Sequence, residues 1–460
     1  MSCPFQKVHF ILGLFLSAHI SGNGPSPLLP AARAQQGLPT SGTGEVRDFT
    51  LPERNKEGIL IWQLNGKHAK LRPDGKMEIT QLAVSTFRKT AVEWTLSTPA
   101  CVLNRESREA ISESPVQIVD KDTKITGVGF HWLANESRFI IRAQAKVVLK
   151  ESLSKSSALE AVAPSPINRA TPTHGPTVID ADTLNFDYEK RVATFEGDVK
   201  AVDPQLTVKC KKMFVHFSDK NSEVSRIEGL GDVHLFHEGK EAVSEKAVFT
   251  RETGTVVLTE GDPRLKDEKG NWIKGSSIIY NTLIRIMKVE KPRLEFAPSS
   301  GGNMLDLQRS ELPSSGGLVF CGSDMNIFGQ KQSSKIDADF LTHHFEKHTA
   351  LFEGNVHVVD SQLELKCKKM IVYFSEKDNE VTRVEGFGDV RILQKGKEAL
   401  GEKAVFTRET GVLVLTEGNP QMKDEKGNWV KGNLIIYNAR TKMMRVEGSK
   451  VEFKPSGGEK

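Results

Sequence analysis

The stretch from Ile179 to Glu290 is written a second time, without a gap, as Ile336 to Glu447. The offset is 157 residues, the separation of Cys210 from Cys367 and of Trp272 from Trp429. Well over half of the paired residues are identical, and the run Glu245–Gly254 recurs at Glu402–Gly411. A gapless repeat of this length is a duplicated folding unit. Whatever fold the chain adopts must therefore solve one packing problem twice.

Each copy has a shorter rhythm. Gly197-Asp198, Gly231-Asp232 and Gly261-Asp262 punctuate copy one at spacings of 34 and 30 residues, and Gly354-Asn355, Gly388-Asp389 and Gly418-Asn419 punctuate copy two. Both members of such pairs tolerate positive φ, so the pairs predict tight turns. Between them Leu206, Val208 and Cys210 alternate with Thr207 and Lys209, and Met213, Val215 and Phe217 alternate likewise. Period-2 alternation over a few residues predicts half-buried strands. Each copy reads as an all-β stack of short antiparallel strands with one apolar and one polar face.

The residues that carry a resemblance are Ala181-Asp182-Thr183-Leu184-Asn185-Phe186, Phe195-Glu196-Gly197-Asp198-Val199, Ala247-Val248-Phe249 and Leu258-Thr259-Glu260-Gly261-Asp262-Pro263. Copy two repeats the order with Ala338-Asp339, Phe352-Glu353-Gly354-Asn355-Val356 and Leu415-Thr416-Glu417-Gly418-Asn419-Pro420. This pattern resembles the OstA-like family, which includes the lipopolysaccharide-transport protein LptA. The resemblance implies tandem open β-jellyrolls with an apolar groove for lipid acyl chains. It also implies a non-enzymatic periplasmic protein that binds lipopolysaccharide or a related glycolipid, meets other transport proteins at the inner and outer membranes, and associates end to end.

The apolar alternation supplies the groove candidates: Leu184, Phe195, Leu206, Val208, Met213, Val215, Phe217 and Phe249, then Leu363, Leu365, Met370, Val372, Phe374 and Phe406. The same residues could fill a closed core, and only the resemblance favours a groove. A groove has the energy for the task, since burying ~12 methylenes at ~0.8 kcal/mol each gives roughly 10 kcal/mol gross. Lys209, Lys211, Lys366 and Lys368 are candidate contacts for lipid phosphates. The blander reading is a lysine-protected strand surface.

A length of 460 residues predicts more than one domain. Lys7, the apolar run Phe10–Ala18 and Ala32-Arg33-Ala34 read as a signal peptide over 1–34, with the mature chain starting at Gln35 in the periplasm. An uncleaved inner-membrane anchor is the rival. Residues 45–150 predict a separate β-rich domain. Its Gly58–Leu64 run, Ser114-Pro115-Val116 and Gly127-Val128-Gly129-Phe130 resemble LptC, the inner-membrane partner of LptA. Residues 151–178 and 297–334 read as linkers around the first OstA-like domain, 179–296. The second OstA-like domain covers 335–455.

Enzyme chemistry finds no support. The duplication acts as a control, and no histidine is shared between the copies: His216, His234 and His237 face Tyr373, Arg391 and Gln394, while His343, His344, His348 and His357 face Phe186, Asp187, Arg191 and Lys200. No nucleophile elbow, phosphate loop or Ca²⁺ loop is present, and no cofactor or metal is expected. A net charge of +4 and 7% aromatics argue against nucleic acid. Cys210 and Cys367 are expected as free, buried thiols, with disulfide pairing in an exported protein as the alternative. The competing function is a surface or periplasmic β-solenoid with a structural or adhesive role, binding polysaccharide or protein.

Overall fold

The computed structural model describes residues 44–150, 175–295 and 334–452, apart from positions 56, 89–90, 105, 188, 205, 219–223, 238, 267–269, 360–362, 377–380, 395 and 426. The leader expected over 1–34, nearly all of both linkers, Cys3 and Cys321 lie outside the described residues. The chain forms two compact units, whose described parts fall within 44–233 and 234–452.

The first unit opens with seven long strands: β1 (Glu45–Arg54), β2 (Leu60–Leu71), β3 (Met77–Arg88), β4 (Ala91–Asn104), β5 (Glu109–Asp120), β6 (Thr123–Leu133) and β7 (Arg138–Leu149). Each pairs antiparallel with the next. The short strands β8 (Thr177–Ala181) and β9 (Thr183–Asp187) lie end to end and act as one rung. Both pair with β7 on one side and with β10 (Val192–Val202) on the other. Then come β11 (Thr207–Phe217), paired with β10, and β12 (Val224–His237), whose last residues belong to the second unit.

The second unit continues with β13 (Lys240–Thr250) and three split rungs: β14 (Thr255–Thr259) with β15 (Arg264–Lys266), β16 (Trp272–Lys274) with β17 (Ser277–Asn281), and β18 (Ile286–Glu290) with β19 (Arg293–Glu295). Copy two repeats the scheme. It begins with β20 (Lys335–Asp337) and β21 (Phe340–His344), followed by the long strands β22 (Thr349–Val359), β23 (Leu363–Phe374), β24 (Val381–Gln394) and β25 (Lys397–Thr407). It closes with β26 (Val412–Thr416), β27 (Gln421–Lys423), β28 (Trp429–Lys431), β29 (Leu434–Asn438), β30 (Met444–Glu447) and β31 (Lys450–Glu452). Every pairing is antiparallel.

The Gly-Asp and Gly-Asn pairs do not sit where the sequence placed them. Gly197, Gly231, Gly354 and Gly388 lie in the middle of β10, β12, β22 and β24, and Gly261 and Gly418 lie in the breaks β14/β15 and β26/β27. They are bends within rungs, not hairpin turns between strands. Both members of each pair have positive φ, as the residue types allow. The register slips at these bends, between Glu196 and Val199 and again between Glu353 and Val356. The glycine is obligatory there: a Cβ on Gly197 (φ +78°) would stand 2.0 Å from Asp182 Oδ2, and one on Gly354 (φ +74°) 2.2 Å from Asp339 Oδ2. The two alternating runs around Cys210 and Met213 are likewise one strand, β11. Its buried set changes parity at Lys211-Lys212, so Cys210 and Met213 are both buried three positions apart.

A bend in every rung creases the sheet. Inward residues on both sides of the crease are buried although, among the described residues, the only helical element is the 3₁₀ turn Ala134–Glu136. The apolar halves therefore cover each other, and each unit is an open β-jellyroll. Residues 44–150 follow the same plan without the repeat's sequence. Gln81 (φ 50°) marks the bend of β3, between buried Met77 and Ile79 on one side and Leu82 and Val84 on the other.

Copy one ends against copy two. β18 pairs with β21 from Ile286↔His344 to Glu290↔Phe340, and β19 pairs with β20. This contact buries Met287, Val289 and Leu294 against Ile336 and Leu341.

Candidate functional site

The inward wall of the two copies is where an apolar ligand would lie. Leu184, Phe195, Met213 and Val215 are fully buried, as are Leu365, Met370 and Val372. Ladder register makes them cross-strand neighbours: Leu184 faces Phe195, which faces Met213, and Val372 faces Ala350. Leu206, Val208, Phe217 and Phe249 are half-buried, as are Leu363, Phe374 and Phe406. The split is not the same in the two copies, since Leu365 is buried where its equivalent Val208 is half-buried. The fourteen candidates divide into a packed floor and a set of more accessible flanks. In 44–150 a third apolar wall takes Leu64, Ile118 and Val147 from the short apolar runs of the sequence and adds Val84 and Leu96, which the sequence reading did not single out.

The four candidate lysines are all exposed. Lys211 forms an ion pair with Asp232, Lys368 with Asp389 at 2.8 Å, and Lys366 with Glu364 at 2.6 Å. Lys209 stands on the same outward side of β11. The Lys366 and His357 hydrogen bonds hold the Glu364 carboxyl below its ordinary range, and Asp389 raises Lys368. The Lys211–Asp232 pair recurs at the equivalent bend of copy two as Lys368–Asp389, whereas Lys366 and Glu364 lie two residues apart on β23. The two recurring pairs are cross-strand ion pairs on the outer surface, facing away from the apolar wall.

Among the described residues no three His, Cys, Asp or Glu side chains gather in a metal-binding arrangement. His234 and His357 each meet a glutamate across the ladder, Glu241 at 2.9 Å and Glu364 at 3.0 Å. His343 is different. It occupies the place of Phe186 in copy one and is only 8% exposed, with the rings of Phe345 and Phe374 centred 4.2 and 5.7 Å away. Burial pushes its pKa down to about 4, and the charges of His344 and His348 add to the effect. Cys101, Cys210 and Cys367 are free and buried. Burial raises Cys210 and Cys367 to about 11 and Cys101 to about 12, so all three thiols are protonated and inert at neutral pH.

The two copies also differ in what covers their last rung. Met287 in β18 is 1% exposed, whereas the equivalent Met444 in β30 is 44% exposed and its neighbour Met443 68%. The difference follows from β21, which pairs with β18, while among the described residues β30 pairs with β29 alone.

Comparison with known proteins finds a similarity in each copy. A family profile described as LptA/(LptD N-terminal domain) LPS transport protein matches residues 178–283 and 335–443, once in each copy. Among solved structures, the crystal structure of LptH, the LptA-homologous periplasmic component of the lipopolysaccharide transport device of Pseudomonas aeruginosa, is similar at 15% identity. That similarity covers 26% of this chain and 95% of the LptH chain, with a TM-score of 0.24. No curated protein sequence matches.

Proposed function

From the match of both copies to the profile of LptA/LptD N-terminal lipopolysaccharide-transport domains, we propose that this chain is a non-enzymatic carrier. In this reading it shields the acyl chains of lipopolysaccharide in the fold of its sheets as the lipid crosses the periplasm. The observation that carries the reading is the profile match of two domains whose inward wall is mostly apolar, with His343 a polar member of its row. Parting the flanks exposes aliphatic surface to a lipid tail without exposing any charge, since the lysine–carboxylate pairs lie on the outer face. The leader 1–34 directs export, and residues 44–150, built from rungs of the same bent design, act as the LptC-like module at the inner membrane.

The partner at the far end meets β30 and β31. Copy one shows what such a rung takes: a second bent rung, paired strand to strand, covering Met287 and Val289. The exposed counterparts in copy two fit the first rung of another transport domain by the same strand addition.

Lipid extraction of the purified protein followed by mass spectrometry tests the function. Co-purifying lipopolysaccharide, and uptake of a fluorescent acyl probe by lipid-free protein, are the expected results. Folded protein that binds neither would overturn the carrier reading and leave the adhesive β-solenoid in its place.

A further inference from the structure

One row of the first unit is polar where its neighbours are not. Trp62 pairs with Thr86, and Thr86 pairs with Trp94, so the three side chains stand side by side on the inward face of β2, β3 and β4. All three are buried, at 5%, 6% and 2% exposure. The Thr86 hydroxyl and the Trp94 indole N–H have no hydrogen-bond partner, and neither atom reaches solvent. The next row towards the bend is wholly aliphatic: Leu64 pairs with Val84, Val84 with Leu96, and each is at most 1% exposed.

Two orphaned polar atoms at adjacent positions are a cost that folding normally avoids. Each unsatisfied buried group costs about 1–3 kcal/mol, and native interiors hold few of them. Both orphans can donate, and a carbonyl oxygen with two lone pairs can accept from both. The row lies close to the β3–β4 hairpin, which closes at Arg88↔Ala91, and so at the strand ends rather than at the crease. A ligand entering there meets the donors first and the aliphatic row behind them.

Resting on the carrier reading above, we propose that Thr86 and Trp94 form a subsite for the carbonyl oxygen of a long acyl chain, whose hydrocarbon lies against Leu64, Val84 and Leu96. The strand ends shut over the row in the ligand-free protein and part to admit the chain. Binding then satisfies both donors, which favours acylated chains over bare hydrocarbon.

The test displaces a fluorescent acyl probe from the full chain with a long-chain fatty-acid methyl ester and with the alkane of equal length. One hydrogen bond contributes about 1 kcal/mol net, so the ester-to-alkane preference should fall about fivefold in Thr86→Val and by a similar factor in Trp94→Phe. Thr86→Val should also leave the ligand-free protein as stable as the parent or more so, because it removes an orphan without changing shape. An unchanged preference in both variants overturns the subsite and leaves the carrier reading intact. A clear loss of stability in Thr86→Val overturns it too, since the hydroxyl would then have a partner. Failure of every ligand to bind removes the carrier reading and the subsite together.

Discussion

At the scale of single residues, the two copies act as each other's control, and His343 is the most telling mismatch. Its row runs Tyr280, Met287, His343, Ala350, Val372 across five strands, and the matching place in copy one holds Phe186. Tyr280 is the one other titratable side chain in that row. The charged groups Arg285, Glu346 and Lys347 lie at the strand ends and turns, with His344 and His348. The folded-state pKa of His343 is about 4 against an ordinary value of 6.5. Above pH ~6.5 the ring is neutral folded or unfolded and titration contributes nothing. As pH falls from there towards 4, the unfolded chain takes the proton and the folded chain does not, so stability is lost across that window. At pH 5 the loss is about 2 kcal/mol, by the conversion of pKa difference to free energy. His343→Phe should remove that part of the acid sensitivity, read as the difference in urea midpoint between pH 7.5 and pH 5 for variant and parent. An identical difference in both would show that His343 is not the group responsible. The wall and the lysines make opposite claims in a second comparison. Val208 is half-buried on the inward side and Lys209 is exposed on the other. Val208→Asp should weaken uptake of an acyl probe at least tenfold, because a carboxylate against apolar surface has no partner, while Lys209→Ala should change it less than twofold. Circular dichroism confirms folding first. Equal losses would place lipid recognition on the lysines.

At the scale of elements, the joint between the copies is a stretch of continuous sheet. Five register pairs join β18 to β21 and three join β19 to β20, over a buried seam of Met287, Val289, Leu294, Ile336 and Leu341. A protease site introduced between positions 300 and 330 and cut under native conditions should therefore leave the two fragments together on gel filtration. They should separate only in denaturant; separation in plain buffer would mean that the linker, not the ladder, holds copy two in place. Edge-to-edge joining was legible in the sequence, because a repeated β-unit has like edges to offer. The strand class and the inward identity of Phe195, Met213 and Met370 were legible too, from period-2 alternation. The rung design was not. Gly-Asp pairs carry the same signature whether they turn a hairpin or bend a strand, since both need positive φ, and only ladder register separates the two. The parity change at Lys211-Lys212 made one strand read as two, and Val84 and Leu96 in the wall of 44–150 were not singled out. Thr86 and Trp94 carried no signal at all, because an orphaned donor is a property of its neighbours in space.

At the scale of the whole molecule, the two ends of the chain's sheets are unequal, and that inequality limits how copies of the protein can associate. The first edge, β1, contains Pro52, which has no N–H to give to a further strand, and its register with β2 slips at a bulge between Glu53 and Arg54. Proline and bulges are the devices that keep an edge from being extended. The last edge, β30, carries no proline and leaves Met443 and Met444 exposed. Head-to-tail growth needs both edges to accept a strand, and an interface of that kind propagates without limit. With β1 blunted, the last edge is the one available among the described residues, and two copies can use it against each other once, around a twofold axis. Sedimentation velocity over a wide concentration range should then show monomer and, at high concentration, dimer, but nothing longer. Met444→Asp should hold the protein monomeric at concentrations where the parent dimerises, because a carboxylate in that seam would be buried without a partner. Ladders of trimer and above would show that β1 accepts a strand after all. A Met444→Asp variant that still dimerises would move the contact away from β30. The same asymmetry gives the proposed carrier a direction: its first edge is closed to further strands, and its last edge is the one left open for the next domain in line.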